Sequence, residues 1–375
     1  MELSSKFSNV YIASDLLSTS QKEQDSNLRW IRDLFNRPIA QGLGVKVETA
    51  SRQWNDNFSF DRAAFFELSE LPIDIEETQV FFESKDISDR SVEYFRKHFP
   101  DRSVIFGYEM SFSTREIIDR AGITYVDMWL HPVRFLDDLL FAFNSNDPEV
   151  RERMASFELP EELSYVYASR LRVQMYRSRP RFNNDLKPHS ALFVGQTLQD
   201  KAIASNKGML TLLDFRADFE NVARRHNHIY YSRHPFVKNG DEKTLSFARE
   251  LKNVSLTGHP TYMMLASDEI EFVFTISSSV VTEAKYFGKE AQYLFKPPVH
   301  VYSENGYSSL MHNYLFSGFW RYIFAGGDRP DPRAINFIDG RNKVRDMLSW
   351  YWGFRQVDRL EGLHNTVSSL LARKG

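Results

Sequence analysis

Cysteine is absent from all 375 residues, which excludes disulfides, thiolate metal sites and a cysteine nucleophile, and suits a reducing compartment. An excess of one charge is also lacking. The 47 basic and 50 acidic residues leave a formal net charge of -3, so no global field draws the chain to nucleic acid or to an anionic membrane. Any anionic ligand must therefore be met by a local pocket. No window holds the roughly 18 uninterrupted apolar residues that a spanning helix needs, and Met1 to Tyr11 contains no apolar signal core. A soluble, cytoplasmic protein is expected. The sequence contains no Walker-type glycine loop, no G-x-G-x-x-G and no G-x-S-x-G elbow, which weakens kinase, dehydrogenase and hydrolase readings. It has no H-E-x-x-H, no clustered histidines and no Asp-x-Asp, so neither zinc nor a metal-dependent sugar-nucleotide site is indicated.

What is present is apolar and rhythmic. With 42% hydrophobic and 14% aromatic residues, the chain can bury more than one core, and its length favours two domains. Strand-like and helix-like segments alternate: strand Asn9 to Ser14, helix Asn27 to Phe35, strand Gly44 to Thr49, helix Asp61 to Leu68, strand Thr78 to Glu83, helix Ser91 to His98. Strand Ser103 to Gly107, helix Thr114 to Ala121 and strand Thr124 to Trp129 follow, then helices over Phe135 to Phe143, Pro148 to Phe157 and Pro160 to Tyr176. Periodicity lapses over Arg177 to Pro188, where the domain boundary is placed. Alternation then restarts with strand Ser190 to Gly195 and continues through His228 to Ser232 and Ile270 to Ile276 to Gln292 to Phe295. This is the rhythm of parallel sheets wrapped by helices, so the expected fold class is α/β with two Rossmann-like halves. The expected division is residues 1–180, 188–300 and a helical end, 301–375, that packs back on the domains. That end comprises Ser308 to Phe324, Asn342 to Phe354 and an amphipathic tail, Val357 to Ala372.

In an open α/β sheet, ligands gather outside the carboxyl ends of strands. Four such positions carry chemistry. Strand Ile270 to Ile276 breaks into Ser277, Ser278 and Ser279 before a helix, which leaves backbone N–H donors and three hydroxyls facing a ligand, or simply an N-cap. Strand His228 to Ser232 runs into Arg233-His234-Pro235, where proline holds the histidine in extended geometry beside a guanidinium. His-Pro pairs also occur at His131 and His259, but only His234 combines a strand end with an adjacent arginine. Gly195 and Gln196 open a turn leading to Asp200, and Glu109 follows strand Ser103 to Gly107. Asp200 and Glu109 are the carboxylates expected to pair across an interdomain cleft. Glu283 is read two ways, as a ribose ligand or as a first-turn acid favoured by the helix dipole.

Taken together, Gly195-Gln196 leading to Asp200, Arg233-His234-Pro235, and Ser277-Ser278-Ser279 with Glu283-Ala284 resemble the bacterial β-Kdo glycosyltransferases of capsule and O-antigen synthesis. The resemblance runs from about Ser190 to Phe295 and touches the first half only in layout and through a strand-end glutamate. It implies a GT-B fold and a CMP-Kdo donor used without a metal or other cofactor. It also implies that His234 and the serines hold the CMP phosphate and that Glu283 contacts the nucleotide. Asp200 becomes the carboxylate at the anomeric centre. Glu109 becomes the second acid, with Asp127 or Glu116 next, because Tyr108-Glu109-Met110-Ser111 departs from the acidic-glycine pattern of the family. Retention through a covalent intermediate is the expected stereochemistry. The implied acceptor is a lipid-linked oligosaccharide at the inner face of the inner membrane. Arg170, Arg172, Arg177, Arg179 and Arg181 are available for its phosphates, and the tail for the bilayer surface. The rival readings are a CMP-sialic acid transferase and a non-catalytic nucleotide-sugar or glycan-binding module.

Overall fold

The computed structural model describes residues 7–18, 21–51, 55, 58, 60–69, 81–178, 186–198, 200–235, 237, 239–304, 306–330, 344–345 and 348. In chain order its first-half strands are β1 (Asn9–Ser14), β2 (Val47–Thr49), β3 (Ser103–Tyr108), β4 (Thr124–Leu130) and β5 (Phe141–Ser145). The second half contributes β6 (Ser190–Val194), a small hairpin of β7 (Ala204–Ser205) and β8 (Gly208–Met209), then β9 (His228–Ser232) and β10 (Val254–Thr257). It ends with β11 (Ile270–Thr275), β12 (Glu290–Tyr293) and β13 (Ser308–Leu310).

These strands form two principal sheets. One has the order β13-β5-β4-β3-β1-β2, parallel from β2 to β4, with β5 and β13 antiparallel at the edge. The other is parallel throughout, in the order β10-β9-β6-β11-β12. Every residue of β3 and of β6 is buried, which is what helices on both faces of a parallel sheet produce. Each sheet sits between its own apolar clusters, so the molecule consists of two Rossmann-like lobes.

Two expected helices are replaced by other structure. Phe135 to Phe143 runs as irregular chain to residue 140 and then enters β5. Its apolar side chains Val133, Phe135, Leu136 and Leu140 are buried in the core of the second lobe, beside Leu192, Ile270 and Val273. Ser308 to Phe324 begins as β13, which pairs with β5, passes through a short 3-10 turn, and becomes helical only over Ser317–Ala325. The aromatics of that helix complete the first lobe: Trp320 meets Phe106 at 5.2 Å and Phe143 at 6.0 Å between ring centroids. Helix Gln21–Leu43 crosses it so closely that a Cβ on Gly42 would lie 2.6 Å from the Ser317 carbonyl oxygen. The expected strand Thr78 to Glu83 is described only from Phe81, as a 3-10 turn, and the tail Val357 to Ala372 lies outside the described residues. No helix of the described residues is long and apolar enough to cross a membrane.

Candidate functional site between two facing sheet edges

Strand order reverses at one point in each parallel sheet. In the first lobe β1 has β2 on one side and β3 on the other; in the second, β6 has β9 and β11. Connections leave such a point toward opposite faces and open a crevice at the carboxyl ends.

The second lobe's crevice holds three of the expected residues in one row. Val194 pairs with Ser232 and Phe193 with Phe274, so the same registers place Gln196 between His234 and Ser277. The ladder extends past β6, since Gly195 N–H donates to the Ser232 carbonyl at 2.8 Å. A Cβ on Gly195 would lie 3.1 Å from the Tyr231 ring, which accounts for a glycine where the neighbouring strand comes so near. The Gln196 side-chain oxygen accepts from Ser277 N–H at 2.6 Å and from the Thr275 hydroxyl at 3.4 Å, stitching the reversal point shut. Ser278 N–H donates to the Thr275 hydroxyl at 3.3 Å. Ser279 has helical backbone angles and makes no side-chain cap. The Ser277 hydroxyl is buried and has no partner among the described residues. A buried hydroxyl without a partner is costly, so it marks a place prepared for an acceptor atom. A cavity of about 30 Å³ beside this row is lined by Gly195, Gln196, Arg233, His234 and Ile276. Pro235 is exposed. The Arg233 guanidinium was expected to add charge for an anion, but it forks onto Asp241 at 2.8 and 2.6 Å. Its charge is already balanced there.

Across the cleft, β1 ends in Asp15 and β3 in Glu109. Asp15 is 1% exposed and accepts from Leu17 N–H at 3.1 Å, Ser111 N–H at 3.1 Å and the Thr114 hydroxyl at 2.6 Å. Burial alone pushes this carboxyl's pKa up; the Lys201 charge with these donors outweighs it and holds the group below the ordinary carboxylate value. Glu109 has φ +51°, a left-handed conformation that costs a residue with a Cβ about 1 to 2 kcal/mol. Such strain persists where surrounding contacts enforce it. Here its N–H donates to the Met128 carbonyl at 2.8 Å and its own carbonyl accepts from Lys201 Nζ at 3.1 Å.

Lys201 belongs to the second lobe, so the two crevices face each other. It opens the 3-10 turn Lys201–Ile203, which Asp200 caps by accepting from Ala202 N–H at 2.9 Å. From there its Nζ reaches Asp15 Oδ2 at 3.2 Å. Its bond to the Glu109 carbonyl sets the neighbouring Asp200 on the second-lobe side of this junction. Burial, then the Glu109 carboxylate and, more weakly, Asp200 raise the pKa of the Tyr108 phenol well above its usual value. Lys296 also bonds Glu83 across the lobes at 2.8 Å, and Arg134 N–H, from the first half of the chain, donates to Glu283 Oε1 at 2.7 Å.

Those contacts redefine three expected residues. Glu283 is 2% exposed and its Oε1 also accepts from the Tyr262 hydroxyl at 2.9 Å, so it serves the lobe junction rather than presenting an open ribose ligand. Asp127, the first alternative acid, is buried and accepts from Met110 N–H and Trp129 Nε1 at 3.0 Å each, from the Tyr307 hydroxyl, and lies 3.7 Å from Arg115. Burial raises its pKa, and nothing of it faces the cleft. Glu116 lines a separate surface hollow with Arg115, Asp119 and Arg151. His131 is likewise structural, with its Nε2 2.9 Å from the Ser309 hydroxyl and Nδ1 accepting from Val133 N–H at 3.0 Å. Asp15, Lys201 and Tyr108 were not anticipated. Asp15 could have been, because it follows β1 as Glu109 follows β3.

Two Rossmann-like lobes with facing carboxyl edges are the GT-B arrangement. No protein-family profile matches the chain, and no curated protein matches it. Among solved structures it is similar to Thermosulfurimonas dismutans KpsC, beta Kdo 2,7 transferase, at 12% identity over 78% of this chain and 80% of the other, with a TM-score of 0.38. A second is the Thermosulfurimonas dismutans KpsC, beta Kdo 2,4 transferase, at 12% identity, 76% and 78% coverage and a TM-score of 0.32. A third is the UDP-GlcNAc 2-epimerase of Neisseria meningitidis, at 11% identity, 76% and 82% coverage and a TM-score of 0.27.

Proposed function

We propose that the chain is a glycosyltransferase that moves Kdo from CMP-Kdo to a surface-polysaccharide acceptor with retention, without a metal ion. The observation that carries this reading is the opposition of the two crevices, with the Gln196, His234 and Ser277 row and Asp200 on the second lobe and Glu109 on the first, joined where Lys201, next to Asp200, meets the Glu109 carbonyl at 3.1 Å. His234 and the partnerless Ser277 hydroxyl bind the phosphate of CMP. A monophosphate leaving group needs few donors, and those two supply them.

The chemistry divides between the two carboxylates. One Asp200 oxygen attacks the anomeric carbon as the bond to CMP breaks, giving a glycosyl ester and free CMP. Glu109 then takes the proton of an acceptor hydroxyl, whose oxygen displaces Asp200 and restores its carboxylate. The bond-breaking step develops oxocarbenium character, which a carboxylate in a closed cleft stabilises. The implied acceptor is a lipid-linked oligosaccharide.

Intact-protein mass spectrometry during turnover with CMP-Kdo tests this. A Kdo-sized adduct on the wild-type chain, absent in Asp200→Asn, is expected; an adduct mapped to another residue overturns the assignment. His234→Ala should weaken CMP binding by about 1.5 to 3 kcal/mol. Unchanged CMP affinity in a folded variant removes His234 from the site.

A further inference from the structure

One cavity among the described residues contributes nothing to the donor chemistry above. It measures about 310 Å³ and lies over the carboxyl ends of β1 and β2, lined by Ser14, Asp15, Ser51, Asp25, Asp61 and Arg62 with the edges of Phe58 and Phe60. At the lower end of the roughly 300 to 1,000 Å³ of small-molecule sites, it holds one sugar ring rather than a chain of them. Asp15 is shared with the Lys201 bridge, so the cavity adjoins the junction where Lys201 reaches the Glu109 carbonyl.

Its lining is fixed in advance. Asp61 is held as the N-cap of helix Arg62–Leu68, accepting from Ala63 N–H at 2.9 Å and Ala64 N–H at 3.3 Å. The Ser51 hydroxyl donates to Asp25 Oδ1 at 3.4 Å. Phe58 and Phe60 are stacked, with centroids 6.4 Å apart and planes at 23°. Carboxylate acceptors beside aromatic edges suit the alternating hydroxyl and C–H surface of a pyranose. The charge balance narrows the ligand further. Three carboxylates, Asp15, Asp25 and Asp61, face two cations, Arg62 and Lys201, and all three act on the Arg62 guanidinium. A second anionic group would be repelled there.

We infer that this cavity is the acceptor subsite and that it takes a neutral pyranose, not an acidic sugar, as the residue to be glycosylated. The inference rests on the transferase reading for its purpose, but not for its binding chemistry. Saturation-transfer NMR with methyl glycosides of neutral hexopyranoses and with the methyl glycoside of Kdo, run in parallel with a CMP titration, tests the two separately. A neutral glycoside should bind, the Kdo glycoside should bind at least about tenfold more weakly, and Asp25→Ala should weaken the neutral glycoside about tenfold or more. CMP affinity should be unchanged in that variant. Ala63→Trp, which plugs the cavity from an exposed position on its rim, gives the same loss without touching a polar contact. Equal or tighter binding of the Kdo glycoside overturns the inference. So does neutral-glycoside binding that neither variant alters, or no neutral glycoside binding at all. A chain that binds the neutral sugar in this cavity but never binds CMP retains the subsite and loses the transferase.

Discussion

Replacing Lys201 with methionine removes the ammonium that joins the two lobes while keeping most of the apolar stem. The pair it breaks is buried, with side-chain exposures of 17% for Lys201 and 0% for Asp15, so solvent screens it little. At 3.2 Å and an effective dielectric constant of about 20, the Coulomb attraction is about 5 kcal/mol before desolvation is subtracted. Removing one partner of such a pair typically costs about 3 to 5 kcal/mol, because the other charge stays buried. Asp15 keeps the Leu17, Ser111 and Thr114 donors, which places the expected loss near the lower end, about 3 kcal/mol. Urea unfolding followed by tryptophan fluorescence at pH 7 measures it. The pH dependence supplies a second readout. Asp15 has a folded pKa below its unfolded value, so its contribution is present above about pH 4 and is lost as pH falls through the folded value. In Lys201→Met burial prevails and the folded pKa rises, so protonated Asp15 then favours the folded state, and the stability lost as pH falls should shrink or reverse. A loss below about 1 kcal/mol with an unmoved acid limb refutes the claim that this lysine holds the cleft together.

Glu109→Gly should relieve the left-handed strain, raising stability by up to about 1 to 2 kcal/mol in urea while abolishing transfer; a destabilised variant refutes the strain. Gln196→Ala leaves Ser277 N–H without its acceptor, and should cost about 1 to 3 kcal/mol of stability and weaken CMP binding in calorimetry. Burial lowers the pKa of His131 to about 3, so the folded state stays neutral where the unfolded chain takes up a proton. Stability should therefore fall by about 1.4 kcal/mol per pH unit as pH drops from roughly 6.5 toward that value, and His131→Gln should flatten the slope in denaturant titrations.

The alternation of strands and helices was legible because parallel strands buried on both faces leave continuous apolar runs. Strand His228–Ser232 falls where the pattern puts it. Apolar spacing misled at Phe135 to Phe143, since Phe135, Leu136 and Leu140 are buried by the second lobe and not by a helix face of their own. The pairing of β13 with β5 spans more than 160 residues of chain, and no local signal announces it. Strand-end reasoning singled out Gln196, His234 and Ser277, which topology delivers to the carboxyl edge of the second sheet, and Glu109, which it delivers to that of the first. It gave no access to partners, so the engagement of Arg233 by Asp241 and of Glu283 by Arg134 and Tyr262 emerged only from three-dimensional packing.

The edge strand β13 and the aromatic helix after it come from the last third of the chain, yet they seal the lobe that the first residues begin. During synthesis the opening half must therefore wait on the ribosome with Phe141 and Phe143 uncovered and the β5 ladder open, while the later lobe can close as soon as it emerges. A nascent chain stalled before residue 308 should consequently engage chaperones through its beginning, not its end.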